Sequence, residues 1–419
     1  MSKFKFMKGR DDYHRHFSAV DIGTELVKVL VVRREGPEGV VLGVGREPQL
    51  PDAMEAGAIS NPDRVIDVCN RALEAAEDMA GVVPGQSLIG ISGELVKGFS
   101  SAVSYPRERP EQRVREAELR SMLQMVERRA LREAQHLLEM ERSYGQIEAR
   151  LVQSAITQVR IDGYPVANPV GYQGGTLELI VFNTFAPIGQ VGAVETVARD
   201  LDLELSGMVA NPYALAGACG GDEAWEEGGI FVDVGGGTTD VALLRGGGVE
   251  GIRMFNLGGR AFTRRLAKEL GISIEDAEAR KIRHSEGLLP PDQEHQVAAL
   301  LAADVEVLLQ GLYLCLQDLA RGEALPPNVY VCGGGSLLGD LINQLLRSPW
   351  WHGLSFPRQP SVRRLGPFDV RGLSDATGLL HSAQDVGPMA LAHHALQAQS
   401  EERDAMNAVM QGVLRAMKV

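Results

Sequence analysis

One pattern occurs twice in this chain, and it limits the possible folds more than any other feature. AVDIGTELVKVLVV, from Ala19, and VDVGGGTTDVALL, from Val232, are each a β-branched run, an Asp-x-Gly turn with small polar residues, and a second apolar run. Each therefore reads as a strand–turn–strand hairpin. Internal duplication on this scale predicts two similar lobes, and the helical stretches after each hairpin predict an α/β class. A length of 419 residues suffices for two or more cores.

The intervening segments fill in this plan. Residues 1–16 are polar and basic and read as a loose arm. A third short strand follows the first hairpin in VVLGVGREPQL. Asn61-Pro62 then opens a helix whose buried face is Val65, Val68, Cys69, Ala72 and Leu73. SLIGIS reads as a buried strand. From Pro106 to Arg150 there is no glycine before Gly145. Leu119, Met122, Leu123, Val126, Ala130, Leu131, Ala134, Leu137 and Leu138 recur at three and four, which predicts one long amphipathic helix over about 110–145. Strands are expected at 155–161 and 177–182, a helix at 189–200, and a strand in LELSGMV. Beyond the second hairpin, helices are expected at 262–270, 274–284 and roughly 295–319. NVYVCGGGSLLGDL reads as strand, glycine turn and helix, 357–374 as irregular, and 387–398 and 405–419 as helical.

The chemistry of the motifs points to a phosphate. A phosphate needs backbone N–H groups aimed at it from a turn without obstructing side chains, and glycine permits that approach. A hydroxyl adds a donor. A strand-end carboxylate holds magnesium, usually through water. Asp21, Gly23 and Thr24 supply these parts in the first motif; Asp233, Gly235, Gly236, Gly237, Thr238, Thr239 and Asp240 supply them in the second. Asp21 and Asp233 are the expected magnesium carboxylates, and Lys28 joins the expected cofactor-binding residues. Gly333, Gly334, Gly335 and Ser336 stand between a strand and a helix, where backbone approaches adenine or the α-phosphate. Glu278 and Lys281 share one helix face; they are either ribose contacts or a solvated pair.

The three glycine motifs in this order resemble the actin, DnaK and sugar-kinase superfamily. Within it, ISGELVKG, ANPVGYQG, DAEARKIRHSEG and GGGSLLGDL are similar to FtsA, with PilM as a close relative. The resemblance implies a two-lobed actin-like ATPase fold: duplicated mixed β-sheet cores and an inserted small α+β domain of the 1C, or SHS2, type. Lobe I would be 17–86, 184–215 and 385–398, with the insertion at 87–183. Lobe II would be 216–257 and 326–384, with a IIB subdomain at 258–325. Residues 399–419 would form a linker and an amphipathic helix. ATP or ADP with Mg2+ is the implied cofactor, and Glu278 and Lys281 fall on the family's ribose-contacting pair. Asn211 occupies a position where ATP-hydrolysing relatives often carry Glu. An amide takes no proton from water, so slow hydrolysis, or nucleotide used as a conformational ligand, is expected.

The implied partners are an FtsZ-like filament, further copies of the chain, and the inner face of the cytoplasmic membrane. FtsA ends in a membrane-binding helix, and here Met406, Val409, Met410, Val413, Leu414 and Met417 form one apolar face. The alternative for that face is packing on protein. A PilM-like adaptor of a type IV pilus or secretion assembly is the alternative function. A small-molecule kinase is a third, but no acceptor-site Asp motif is found for it. A net charge of −13 speaks against nucleic acid. Cys69, Cys219, Cys315 and Cys332 lack metal spacing and read as buried thiols of a reducing compartment. No apolar run near ~20 residues is expected to span a membrane, and no signal peptide is expected. The expected location is the cytoplasm, peripheral on the membrane.

Overall fold

The period-2 pattern of the hairpins decides what each strand buries. In the computed structural model, which describes residues 15–50, 52–140, 148–166 and 168–401, β1 (His16–Ile22) and β2 (Leu26–Glu35) form the first hairpin, followed by β3 (Glu38–Pro48). Phe17, Ala19, Leu30 and Val32 point to one core; Val20, Val27, Val29 and Val31 point to another on the opposite face. A short ribbon of β4 (Met54–Glu55) and β5 (Ala58–Ile59) precedes the helix Pro62–Ala80. The Asn61 side chain caps that helix by accepting from the Arg64 N–H at 3.3 Å, and Gly81 ends it at φ 66°.

β6 (Gln86–Ile91) returns to the first sheet; β7 (Lys97–Pro106), β8 (Ala149–Ile161), β9 (Tyr164–Pro165) and β10 (Thr176–Pro187) form the insertion. β11 (Leu205–Ala210) completes the first lobe. β12 (Gly229–Val234) and β13 (Thr239–Arg245) are the second hairpin, followed by β14 (Gly248–Phe255), β15 (Asn328–Cys332), β16 (Ser361–Arg364) and β17 (Leu373–Asp375). The first sheet has the order β11-β6-β1-β2-β3-β17; the second is nine-stranded, β16-β15-β12-β13-β14-β7-β10-β8-β9.

Helices separate and flank the sheets. Pro62–Ala80 and Ile188–Asp200 cover the outer face of the first sheet. Asn211–Ala218 and Val386–Glu401 lie in the core shared by the two sheets. Gly259–Leu270, Pro291–Ala320 and Gly339–Arg347 cover the outer face of the second. The second hairpin repeats the logic of the first: Ile230, Val232, Val241 and Leu243 face outward to these helices, while Phe231, Ala242 and Leu244 face the shared core.

Four points differ from the sequence expectations. The strand at 86–91 lies between β1 and β11 in the first sheet, so the insertion begins after it rather than at 87. The stretch 357–374 is not wholly irregular: β16 extends β15 in parallel and β17 crosses to pair with β3. The helix Pro291–Ala320 is long and apolar enough by length and composition to cross a membrane, with mean hydropathy 1.7 over an 18-residue window; Asp304 and Glu306 interrupt its run in sequence. Val297, Leu301, Val305, Leu312 and Leu316 of this helix are buried in the core of the second lobe. Cys315 is half-buried, unlike Cys69, Cys219 and Cys332.

The long helix runs from Glu116 to Met140. Leu119, Met122, Leu123 and Val126 pack on Val159, Ile161, Leu177, Leu179 and Val181, so its apolar stripe covers the inserted sheet, while Glu116, Arg120, Arg128, Arg129 and Arg132 are exposed. β7 joins β14 through only two register pairs, Gly251 with Phe99 and Ile252 with Gly98. The basic N-terminal arm and the amphipathic tail of Met406, Val409, Met410, Val413, Leu414 and Met417 lie outside the described residues.

Candidate nucleotide-binding site

The turns of the two hairpins meet across a cleft of about 810 Å3. A Cβ on Gly237 would stand 2.6 Å from Thr24 Oγ1, so only glycine lets the turns approach this closely. The helix Gly259–Leu270 is tied to the second turn: the Gly259 N–H donates to Gly235 O at 2.9 Å and the Arg260 N–H to Gly236 O at 2.8 Å. Arg260 also forms an ion pair with Glu25 of the first turn, joining the lobes.

The hairpins differ in one register position that sets the charge of the cleft. Asp21 pairs with Lys28, whereas Asp233 pairs with Asp240. In the first, Lys28 Nζ lies 3.7 Å from Asp21 Oδ2 and donates to Gln384 O at 2.7 Å. In the second, two carboxylates face one another. Burial, with the Asp21 charge, pushes Asp233 up to about 6, against the pull of Lys28. Burial and then the Asp233 charge push Asp240 up to about 7, opposed by hydrogen bonds from Ser92 and Thr238. Asp240 Oδ1 is buried without a hydrogen-bond partner. A cation brought to this edge would relieve both carboxylates.

The other side holds the remaining predicted groups. Lys281 Nζ lies 2.7 Å from Glu278 Oε2 and donates to Gly259 O at 3.0 Å and Thr263 Oγ1 at 2.8 Å. Both residues line the cleft, so they are not a purely solvated pair. Gly333 adopts φ +84° against the Asp233 carboxylate; Gly334 opens onto free space. Ile282, Leu337 and Leu338 add apolar wall.

The structure thus brings Asp21, Gly23, Thr24, Lys28, Asp233, Gly235, Gly236, Gly237, Thr238, Asp240, Glu278, Lys281, Gly333, Gly334 and Gly335 to one cavity. Two expectations need correction. Thr239 is fully buried and its Oγ1 donates to Leu257 O at 2.7 Å. Ser336 is fully buried and its Oγ donates to Gly333 O at 2.7 Å. These hydroxyls fix the turns instead of facing the cleft, because each hydrogen-bonds a backbone carbonyl within its own lobe.

Other lining residues stand outside the three glycine motifs. Ser92 follows β6, Gln384 lies in a 3-10 turn, and Gly387 lies in the first turn of the helix Val386–Glu401. A Cβ on Gly387 would stand 3.6 Å from Asp233 Oδ2 and 3.8 Å from Asp21 Oδ2, so both carboxylates face one point. Asn211 donates from Nδ2 to Asp21 Oδ1 at 3.2 Å and so orients that carboxylate. Among the described residues no three His, Cys, Asp or Glu side chains form a metal cage. Two carboxylates with room for phosphates beside them suit magnesium, which takes one or two carboxylates and keeps water or phosphate oxygens. The residues therefore fit a magnesium–nucleotide pair.

Known proteins resemble this chain in sequence and in fold. The family described as "Cell division protein FtsA" matches residues 230–402. FtsA of Pseudomonas aeruginosa is 26% identical over 410 residues, covering 91% of this chain and 89% of that protein. FtsA of Neisseria meningitidis is 23% identical over 403 residues, covering 89% and 91%. Among solved structures, a PilM–PilN type IV pilus biogenesis complex matches with TM-score 0.63 and 18% identity, covering 91% of this chain and 97% of that one. MreB 5 of Spiroplasma citri bound to AMPPNP matches with TM-score 0.50 and 13% identity, covering 94% and 99%. The chain resembles FtsA in sequence, and its fold is actin-like.

Proposed function

We propose that this FtsA-like, actin-fold chain binds ATP with Mg2+ in the interlobe cleft, polymerises, and tethers an FtsZ-type filament to the inner face of the cytoplasmic membrane during bacterial cell division. The observation that carries the nucleotide part is the convergence of both glycine turns and the Asp21 and Asp233 carboxylates on one cavity. In this reading the turn amides with Thr24 and Thr238 hold phosphates, Asp21 and Asp233 position the metal through water, and Glu278 with Lys281 contacts the ribose. Gly334 and Gly335 back the adenine. Magnesium held by Asp21 and Asp233 would neutralise phosphate charge.

Asn211 offers an amide where a proton acceptor would serve hydrolysis, so the nucleotide acts chiefly as a conformational ligand and turnover is slow. Titration calorimetry with Mg-ATP tests the premise: saturable binding is expected for the wild type and its loss for Asp233→Ala. No heat of binding in the wild type would end the account.

The division role draws on the sequence likeness to FtsA over most of the chain. It predicts co-pelleting with FtsZ polymers, and liposome pelleting that is lost when residues 405–419 are removed. The competing reading is a PilM-like adaptor of a pilus or secretion assembly, favoured by the fold likeness to the PilM–PilN complex. That role does not need the tail, so lipid-independent behaviour with no FtsZ binding would favour it.

A further inference from the structure

The ribbon of β4 and β5 belongs to neither large sheet. Its strands pair only with each other, Met54 with Ile59 and Glu55 with Ala58. The two residues between them, Ala56 and Gly57, have φ 49° and 77°. Positive φ at both central residues is the type I′ geometry of two-residue hairpins, and alanine rarely adopts it. The base of the ribbon is fixed in the first lobe. Ala53 and Met54 are buried there, and Ile59 packs on the same core. Ala53 O accepts from the Ser60 and Asn61 N–H groups at 3.0 and 3.2 Å.

The tip of the ribbon reaches the cleft, where Gly57 lines the cavity with Ser92 and Thr238. A Cβ on Gly57 would stand 2.9 Å from Gly93 Cα and 2.9 Å from Thr238 Cγ2. The tip therefore lies against its own lobe on one side and the phosphate turn of the other lobe on the other. Among the described residues, the Ala56 and Gly57 N–H groups have no hydrogen-bond partner. Successive free N–H groups of a turn make an anion-binding concavity. Position decides which part of a nucleotide this one meets. The apolar wall of Ile282, Leu337 and Leu338 stands at the Gly333–Gly335 end of the cavity. From there the second turn runs from Asp233, beside Gly333, to Thr238, beside Gly57. A base on that wall directs its phosphates past the glycine turns and toward the ribbon.

We propose, resting on the nucleotide reading above, that the ribbon tip reads the terminal phosphate: the Gly57 N–H donates to it, so the chain holds a nucleoside triphosphate in preference to the diphosphate. Hydrogen–deuterium exchange of the full chain tests this on the segment 52–60, with saturating Mg-AMPPNP and with saturating Mg-ADP. Slower exchange with the triphosphate analogue alone is expected. Calorimetry then compares two variants. Gly57→Ala adds a Cβ that would lift the tip from Thr238 and Gly93, whereas Ala56→Gly keeps both turn amides. Gly57→Ala is expected to weaken Mg-AMPPNP about tenfold, the scale of a lost hydrogen bond to a charged group, and to leave Mg-ADP within about twofold. Ala56→Gly is expected to keep the wild-type ratio. The exchange measurement uses the wild type, so it decides the matter even where Gly57→Ala fails to fold. Equal protection by the two nucleotides, or an equal loss of both in Gly57→Ala, overturns the proposal and leaves the cleft a nucleotide site. A wild type that binds neither nucleotide ends both readings.

Discussion

Ser92 and Asp240 clasp the two lobes at the base of the cleft: Ser92 Oγ donates to Asp240 Oδ2 at 2.8 Å. The hydrogen bond favours the ionised carboxylate, but burial and Asp233 outweigh it and leave Asp240 near 7. Two acids raised above the ordinary value of 3.8 hold more protons in the folded than in the unfolded chain between about pH 4 and 7. Their contribution to stability is therefore fully present at low pH and lost as pH rises through that window. A cation needs them ionised, so the opposite trend governs binding. Melting curves of the nucleotide-free chain are expected to shift down from pH 5 to 8, while Mg-ATP affinity by calorimetry rises. Asp240→Asn flattens both profiles and weakens Mg-ATP by about tenfold or more, the usual cost of losing a group near a metal. Parallel profiles in wild type and variant would refute the argument.

Gly387 gives a steric test. Its missing side chain leaves the point that Asp21 and Asp233 both face open. Gly387→Val places branched carbon there, where a hydrated metal would sit. Mg-ATP binding is expected to fall below detection in calorimetry, with the circular-dichroism spectrum unchanged. Retained affinity would mean that the metal sits elsewhere.

Glu25 and Arg260 are partly exposed, so their ion pair is worth only about 0.2–1 kcal/mol. Its position is what matters, because Glu25 lines the cleft and Arg260 stands at the start of the helix Gly259–Leu270 in the opposite lobe. Glu25→Gln is expected to speed release of a fluorescent ATP analogue about two- to fivefold in stopped flow. The charge exchange Glu25→Arg with Arg260→Glu restores the slower rate. Equal release rates in all chains would remove the latch.

His284 ties three helices together. Its Nε2 lies 2.6 Å from Asp340 Oδ2 and its Nδ1 3.0 Å from Glu294 Oε1. Burial opposes the charged ring, but the two acids prevail and raise its pKa above 6.5. The charged ring stabilises the fold fully below pH 6.5, and this contribution is lost as pH rises through the raised value. In His284→Gln the fall in melting temperature above pH 6.5 is expected to shrink, with little change at pH 5 in its slope.

How far the sequence could be read follows from what each group depends on. The hairpins were legible because alternation and Asp-x-Gly turns are local, and the same holds for the Asn61 cap and the stripe of the long helix. Ser92, Gln384 and Gly387 were not, because each reaches the cleft only through sheet order and helix packing. β16 and β17, four and three residues long, exist through their partners β15 and β3 and have no period of their own. Thr239 and Ser336 show the converse. Their motifs are right for a phosphate turn, yet the alternation of β13 and the tightness of the glycine turn send those hydroxyls inward.

The two-rung join between β7 and β14 has a mechanical consequence. Continuous pairing runs from the inserted strands through β14 to β13, whose first residues border the cleft. Torque applied to the insertion would pass along this ribbon like a load through a narrow strap. Side chains brace it, Ser100 Oγ donating to Val249 O at 2.9 Å and Arg253 Nη1 to Gly98 O at 3.4 Å, so such a load would strain β14 before it reached the glycine turns.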